Sequence, residues 1–169
     1  MMERNISNSV QSAMRLSASM ANADNHTSYG ISHLVLALLS EGTGTGLSSI
    51  LTAMNKDVGY IQEWFDMRRE MYVSEEHEGD GVVADRQVDL VLKEAERSKI
   101  KLGSDSIDAL CVFTATIRQG VVFSDSQIET LSVSEEDVLS YFNAQEKNHS
   151  YQGEENKLLA SYPFAYSLK

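Results

Sequence analysis

The chain has 169 residues, with 25 Asp or Glu against 14 Lys or Arg, a formal charge of −11 and a pI near 4.7. A chain of this length buries roughly 70% of its unfolded surface and makes one domain without disulfide or metal, while 42% hydrophobic and 23% charged residues exclude wholesale disorder. Strong negative charge opposes the counterion release that phosphate backbones reward, so no nucleic-acid partner is expected.

A single proline, Pro163, and apolar residues recurring at spacings of three and four predict helices nearly throughout, an all-α fold. The first helix starts at a cap on Ser7 or Ser9 and turns Val10, Met14 and Ala18 inward before Asn22 to Tyr29 breaks the pattern. The second opens at Ser32, lines Leu34, Val35, Leu38 and Leu39 along its inner face and is ended by Gly42, Gly44 and Gly46. Leu47, Ile50, Leu51 and Met54 mark a third. After Asp57, Ile61, Trp64, Phe65 and Tyr72 keep helical spacing in a fourth, the most aromatic segment of the chain.

Ser74 to Gly81 is acidic and glycine-bearing, and reads as a mobile surface connector. Beyond Asp85, Val88, Val91, Leu92 and Ala95 predict a fifth helix, and Ile107, Leu110, Cys111 and Ile117 a sixth. A short helix follows around Ile128 and Leu131, and Ser134 caps a last one through Phe142. From Asn143 the chain turns polar; Lys147 to Asn156 reads as flexible, and Leu158 to Leu168 as apolar enough to dock.

Sliding the chain on itself by 76 to 78 residues superposes one half on the other. Val10 and Met14 fall on Val88 and Leu92, Ile31 and Leu34 on Ile107 and Leu110. Leu51, Met54, Ile61, Trp64 and Phe65 fall on Ile128, Leu131, Val138, Tyr141 and Phe142. Four helices, twice, is the expected plan: repeat one over 7–73, a linker over 74–84, repeat two over 85–142, the whole domain within 1–145 and a tail over 146–169.

Asn25-His26, the run from Ser32-His33-Leu34 to Glu41-Gly42, and Gly46 to Leu51 resemble the first repeat of the Clp N-terminal domain, the double four-helix module at the front of Clp-type AAA+ unfoldases. The resemblance covers residues 7–142. It implies a non-catalytic domain that docks substrates or adaptors for a hexameric ATPase ring encoded further on, in a disaggregase, a protease partner or a type VI secretion sheath-recycling ATPase. It also implies that His26 and His33 are structural. In relatives that read phosphoarginine an acid precedes the motif histidine in each repeat; here Ser32 holds the first position and Asp108 the second, with Ala109 in the place of the second histidine, which argues against a paired phosphoarginine site. The peptide groove that the resemblance implies lies at the starts of helices one and six, on Ile6, Ser7, Val10, Asp108 and Ala109, so arginine at Ala109 is expected to block docking with little loss of stability.

Catalytic and cofactor motifs are missing. No glycine-rich loop ends in Gly-Lys-Ser/Thr, and Glu41 to Gly46 lacks the lysine, so no ATPase activity is expected of the chain itself. Glu76, Glu78, Asp80 and Gly81 imitate the opening of a calcium loop, but Gln87 stands where a bidentate glutamate is required, and His77 has no partner at zinc spacing; neither metal nor cofactor is expected. No nucleophile elbow or patterned triad surrounds His26, His33 or His149. Cys111 reads as a buried inert thiol, and Lys93, Arg97 and Lys101, interleaved with Glu94 and Glu96, as a solvated face. The methionines are expected mostly in the core, as at Met14 and Met54, with some on an adaptable binding surface. The longest apolar run, the six residues Leu34 to Leu39, is too short to cross a membrane, and the absence of a secretory signal with a lone cysteine points to the cytoplasm. A stand-alone helical interaction module or small-ligand carrier is the alternative, and would need a convergent set of polar groups that the sequence does not display.

Overall fold

The computed structural model describes residues 5–145. In order they form α1 (Asn8–Ala23), β1 (Ser28–Tyr29), α2 (Ile31–Leu39), a 3-10 turn (Glu41–Thr43), α3 (Leu47–Ala53), α4 (Val58–Glu70), β2 (Val83–Ala84), α5 (Arg86–Leu102), α6 (Ala109–Thr116) and α7 (Asp125–Leu131). A further helix, α8, occupies 135–145. Two units divide the chain, one up to Glu135 and one from Glu136 on; the account below concerns the first. The expected docking segment, Leu158 to Leu168, and the flexible stretch before it lie outside the described residues.

Five of the helices start where side-chain chemistry closes the first turn, α2 and α3 being capped by Gly30 and Gly46 instead. Ser7 Oγ accepts the Val10 N–H at 3.2 Å, Asp57 Oδ1 that of Tyr60 at 3.1 Å, Asp85 Oδ1 that of Val88 at 3.0 Å and Asp108 Oδ1 that of Cys111 at 2.9 Å. Such caps contribute about 1 kcal/mol each. Ser124 and Gln127 form a reciprocal capping box on α7.

The two repeats are joined by two short parallel pairings that are mates under one pseudo-twofold axis. Ile6 bridges Ile107, and Tyr29 pairs Ala84; Ile6 and Ala84 stand 78 residues apart in sequence, as do Tyr29 and Ile107. The hydrogen bonds repeat with them, since Ser7 N–H donates to Ile107 O at 3.0 Å and Asp85 N–H to Tyr29 O at 3.0 Å. Left-handed residues recur at the same interval, Asn25 (φ 66°) with Gly103 (φ 67°). This register corrects the sequence alignment around α6. The cap of α2 is Gly30 and that of α6 is Asp108, so Cys111, and not Ala109, stands in the place of His33, and Asp108 is the mate of Gly30, not of Ser32. Ile107 precedes the helix instead of lying within it.

The core differs from the hydrophobicity reading in three places. The inner face of α1 is Val10, Ala13, Ser17 and Ala21, with Met14 and Ala18 half-buried beside it. Small residues let α1 lie close to α2, and the Ser17 hydroxyl donates to Ala13 O at 2.7 Å, which satisfies it without a distant partner. The five described methionines are all outside the core, Met67 and Met71 being largely exposed. α4 stops at Glu70, so Tyr72 is not on its face. The aromatic cluster of α4 forms instead from Trp64 and Phe65 with Phe123, with ring centroids 4.8 to 6.0 Å apart, capped by the Arg68 guanidinium 3.2 Å above Trp64. Trp64 Nε1 donates to Thr130 Oγ1 at 3.0 Å, tying α4 to α7.

Candidate docking site

The starts of α1 and α6 meet at the Ile6–Ile107 bridge. Ile107 N–H donates to Asn5 O at 2.7 Å, and the Asn5 amide nitrogen to Asp105 O at 2.9 Å, so the segments leading into both helices run side by side. Ile6, Ser7 and Asp108 are half-buried there. Asp108 spends one carboxylate oxygen on its cap at the positive end of α6. Three of the five expected site residues are therefore brought together at a surface. The other two are not part of it. Val10 has no exposed surface and Ala109 keeps 3%, because both face inward from the first turn of their helices. Arginine at Ala109 would force a cation into the core and cost folding stability, so the near-neutral stability expected of that substitution does not hold. Cys111, one turn on, is buried, and burial raises its thiol pKa to about 11, which leaves it inert.

The motif histidines belong to a polar cluster between the repeats. Gly30 N–H donates to His33 Nδ1 at 3.0 Å, which makes Nδ1 an acceptor and puts the ring proton on Nε2, 3.6 Å from Asp24 Oδ2. His33 is fully buried, and that burial lowers its pKa, with the Arg69 charge adding to the effect. Tyr72 stands edge-on to His33 at 4.9 Å and to His26 at 5.0 Å. Its hydroxyl donates to Asp85 Oδ2 at 2.8 Å and meets Ser28 Oγ at 2.7 Å. Arg69 holds Asp24 through two nitrogens at 2.8 and 3.1 Å, and its hydrogen bond is the main reason the Asp24 pKa is lowered. His26 and His33 were expected to be structural, and in the fold both sit within this hydrogen-bonded and ring-packed cluster. Tyr72, Ser28 and Asp85 were missed in the sequence because the cluster draws on three separate segments.

The acidic connector is not loose. Ser74 Oγ lies 2.6 Å from His26 Nδ1 and accepts the Thr27 N–H at 3.2 Å, and Thr27 Oγ1 donates to Glu75 O at 3.2 Å. Its carboxylates hold no metal constellation; among the described residues no group of three or more His, Cys, Asp or Glu could bind an ion. Beside it lies a shallow cleft of about 620 Å³ walled by Met71, Val73 and Leu90, with Arg86 paired to Glu75 at 3.2 Å. None of the five expected docking residues lines it. At the far side Arg118 joins Glu94 at 2.8 Å and Glu135, while Lys93, Arg97 and Lys101 are exposed as expected. No described helix is long and apolar enough to cross a membrane.

Comparison with known proteins agrees with this fold. The N-terminal domain (1–163) of the ClpV1 ATPase from the Escherichia coli EAEC Sci1 type VI secretion system superposes with a TM-score of 0.64 at 16% identity, covering 83% of this chain and 85% of that one. The Hsp104 N-terminal domain from Candida albicans gives 0.60 at 12%, covering 83% and 89%. A structure described as a peptide from the EAEC Sci1 SciI protein gives 0.63 at 17%, covering 82% and 88%. No curated protein sequence matches. Residues 5–126 match the family profile of the Clp repeat (R) N-terminal domain, so the chain belongs to the Clp N-terminal domain family.

Proposed function

We propose that the chain is a non-catalytic docking domain that presents protein or peptide substrates, or adaptors carrying them, to a Clp-type AAA+ unfoldase ring. Family membership and the fold shared with the ClpV1 and Hsp104 N-terminal domains support a docking role at the front of a Clp-type ATPase. The observation that carries the site is the Ile6–Ile107 bridge, which sets two helix N-termini side by side with Ile6, Ser7 and Asp108 at the surface. Ile6 offers apolar contact, free backbone N–H groups polar contact and Asp108 a negative charge, a set suited to an apolar segment with a basic flank. With only these few groups the affinity is micromolar, and a hexameric ring multiplies it by avidity.

Fluorescence anisotropy with a labelled amphipathic, Lys-flanked helical peptide tests the site. Ile6→Asp is expected to weaken binding at least 10-fold, and Asp108→Ser, which keeps a capping oxygen but removes the charge, several-fold. Unchanged binding in both variants excludes this surface. Reading the coding sequence beyond Lys169 for Gly-x-x-x-x-Gly-Lys-Thr tests the ring assignment separately.

A further inference from the structure

The outer face of α5 carries a line of cations with apolar residues set into it. With helical residues about 100° apart, Arg86, Leu90, Lys93, Arg97, Ile100 and Lys101 share an arc of about 100°, and all are exposed. Leu90 leaves 42% of its surface in solvent and Ile100 77%. Leu90 also walls the cleft of Met71 and Val73, so the apolar line runs on past the start of the helix. The glutamates interleaved with this face in sequence do not neutralise it. Glu94 turns aside to Arg118 at 2.8 Å, and Glu96 lies 3.7 Å from Lys99. At the two ends of the line Arg86 meets Glu75 at 3.2 Å and Lys101 meets Glu135 at 3.6 Å. Lys93 and Arg97, in the middle, hold no carboxylate among the described residues, and Asp89 borders the arc.

The pseudo-twofold supplies an internal control. At the register of the paired segments α1 is the mate of α5, and its corresponding positions are Asn8, Ser12, Arg15, Ser19, Asn22 and Ala23. The same architecture is therefore built with one cation and no large apolar side chain on this face. On α5, Lys93, Arg97 and Lys101 stand four residues apart, where like charges repel, and Leu90 and Ile100 face water. A partner surface of opposite charge removes both penalties at once. We propose that the outer face of α5 docks an acidic amphipathic helix of a protein partner, with carboxylates on Arg86, Lys93 and Arg97 and apolar side chains on Leu90 and Ile100. From Arg86 to Lys101 the line is about 22 Å long, the length of about four turns of such a helix. The charge of −11 on the whole chain opposes approach to a polyanionic membrane or nucleic acid, and two apolar side chains are too few to anchor in a bilayer. A discrete acidic segment is thus favoured over an extended anionic surface. None of these residues belongs to the Ile6–Ile107 junction, so the face is independent of the docking site proposed there.

The whole chain is tested by fluorescence anisotropy with a labelled helical peptide of about four turns, leucine along one stripe and glutamate on both flanks, beside a scrambled peptide of the same composition. Saturable micromolar binding is expected for the first, and binding at least 10-fold weaker for the second. Lys93→Glu with Arg97→Glu should weaken binding at least 10-fold, and Leu90→Ser with Ile100→Ser several-fold, with the melting temperature held within a few degrees because all four side chains are exposed. Ile6→Asp should leave this peptide bound, and the α5 variants should leave the Lys-flanked peptide bound, which separates the two surfaces. No saturable binding, equal binding of the scrambled peptide, or unchanged binding in the charge-reversed variant overturns the proposal. Tighter binding to phosphatidylserine vesicles than to the peptide also overturns it, as does self-association in sedimentation that charge reversal abolishes. If the variants fail to fold, amide shift mapping on the wild type decides: changes along 86–101 support the proposal, and changes centred elsewhere overturn it.

Discussion

Gly30→Ala is the sharpest test of the junction between the repeats. A Cβ on Gly30 would lie 2.3 Å from Tyr72 Cε1, 2.9 Å from Cδ1 and 3.1 Å from Asp85 Oδ2. Ordinary carbon contacts begin near 3.5 Å, so the Tyr72 ring would have to retreat by about 1 Å. It has little room, because His26 and His33 stand against it at 5.0 and 4.9 Å. A retreat also pulls the hydroxyl off Asp85 and Ser28, leaving a carboxylate that is 4% exposed short of a partner. Overpacking costs about 1–3 kcal/mol and each net hydrogen bond about 1 kcal/mol, so the expected loss is roughly 2–5 kcal/mol. Against a total stability of about 5–15 kcal/mol, that is a large drop in the urea midpoint at unchanged slope. In a Tyr72→Ala background the same substitution should cost far less, and the cycle should show at least about 1 kcal/mol of coupling. A loss below about 0.5 kcal/mol, or an equal loss in both backgrounds, refutes this account of why the position is glycine.

Three other outcomes follow from the same structure. The contribution of His33 to stability should be level above pH 6.5 and fall below it. The folded pKa of His33 is depressed, so its contribution is present above the unfolded value and is lost as pH drops through the folded one, when Nδ1 would gain a proton facing the Gly30 N–H. Further loss should come below pH 4.5; burial works to raise the Glu135 pKa, but the Arg118 hydrogen bond and charge hold it below the ordinary value, as Arg69 does for Asp24; urea midpoints across pH 3 to 8 measure both. Cys111 should react with a disulfide reagent at pH 8 far more slowly than a free thiol, and at a rate that climbs with added denaturant; fast reaction in the native state would contradict its burial. Calorimetry with ATP should show no heat of binding, since the chain has no phosphate-cradling loop.

Helix number, most helix starts and the repeat were legible in the sequence, because caps and apolar spacing are local signals. Ser7, Asp57 and Asp85 announce their helices directly. What failed was everything decided by contact across the repeat. Hydrophobicity favoured Met14 over Ser17, yet close approach of two helices rewards the smaller side chain. Tyr72 fitted the spacing of α4, but a hydroxyl with Asp85 and Ser28 within reach is better satisfied off the helix. The connector looked loose because its anchors, Thr27 and Ser28, are nearly fifty residues upstream. At the proposed docking site, the nearness of Ile6 and Ser7 to Asp108 followed from the family resemblance, whereas the burial of Val10 and Ala109 depends on which way each first turn faces. The register that sets Cys111 opposite His33 became plain only once the two parallel pairings were seen.

The docking claim is tested most directly by titrating the isotope-labelled domain with the amphipathic, Lys-flanked peptide and mapping amide shift changes by NMR. The account predicts saturable, micromolar changes concentrated at residues 5–10 and 105–112, where the segments entering α1 and α6 run together. Changes centred on the cleft of Met71, Val73 and Leu90, or no saturable change at all, would contradict it.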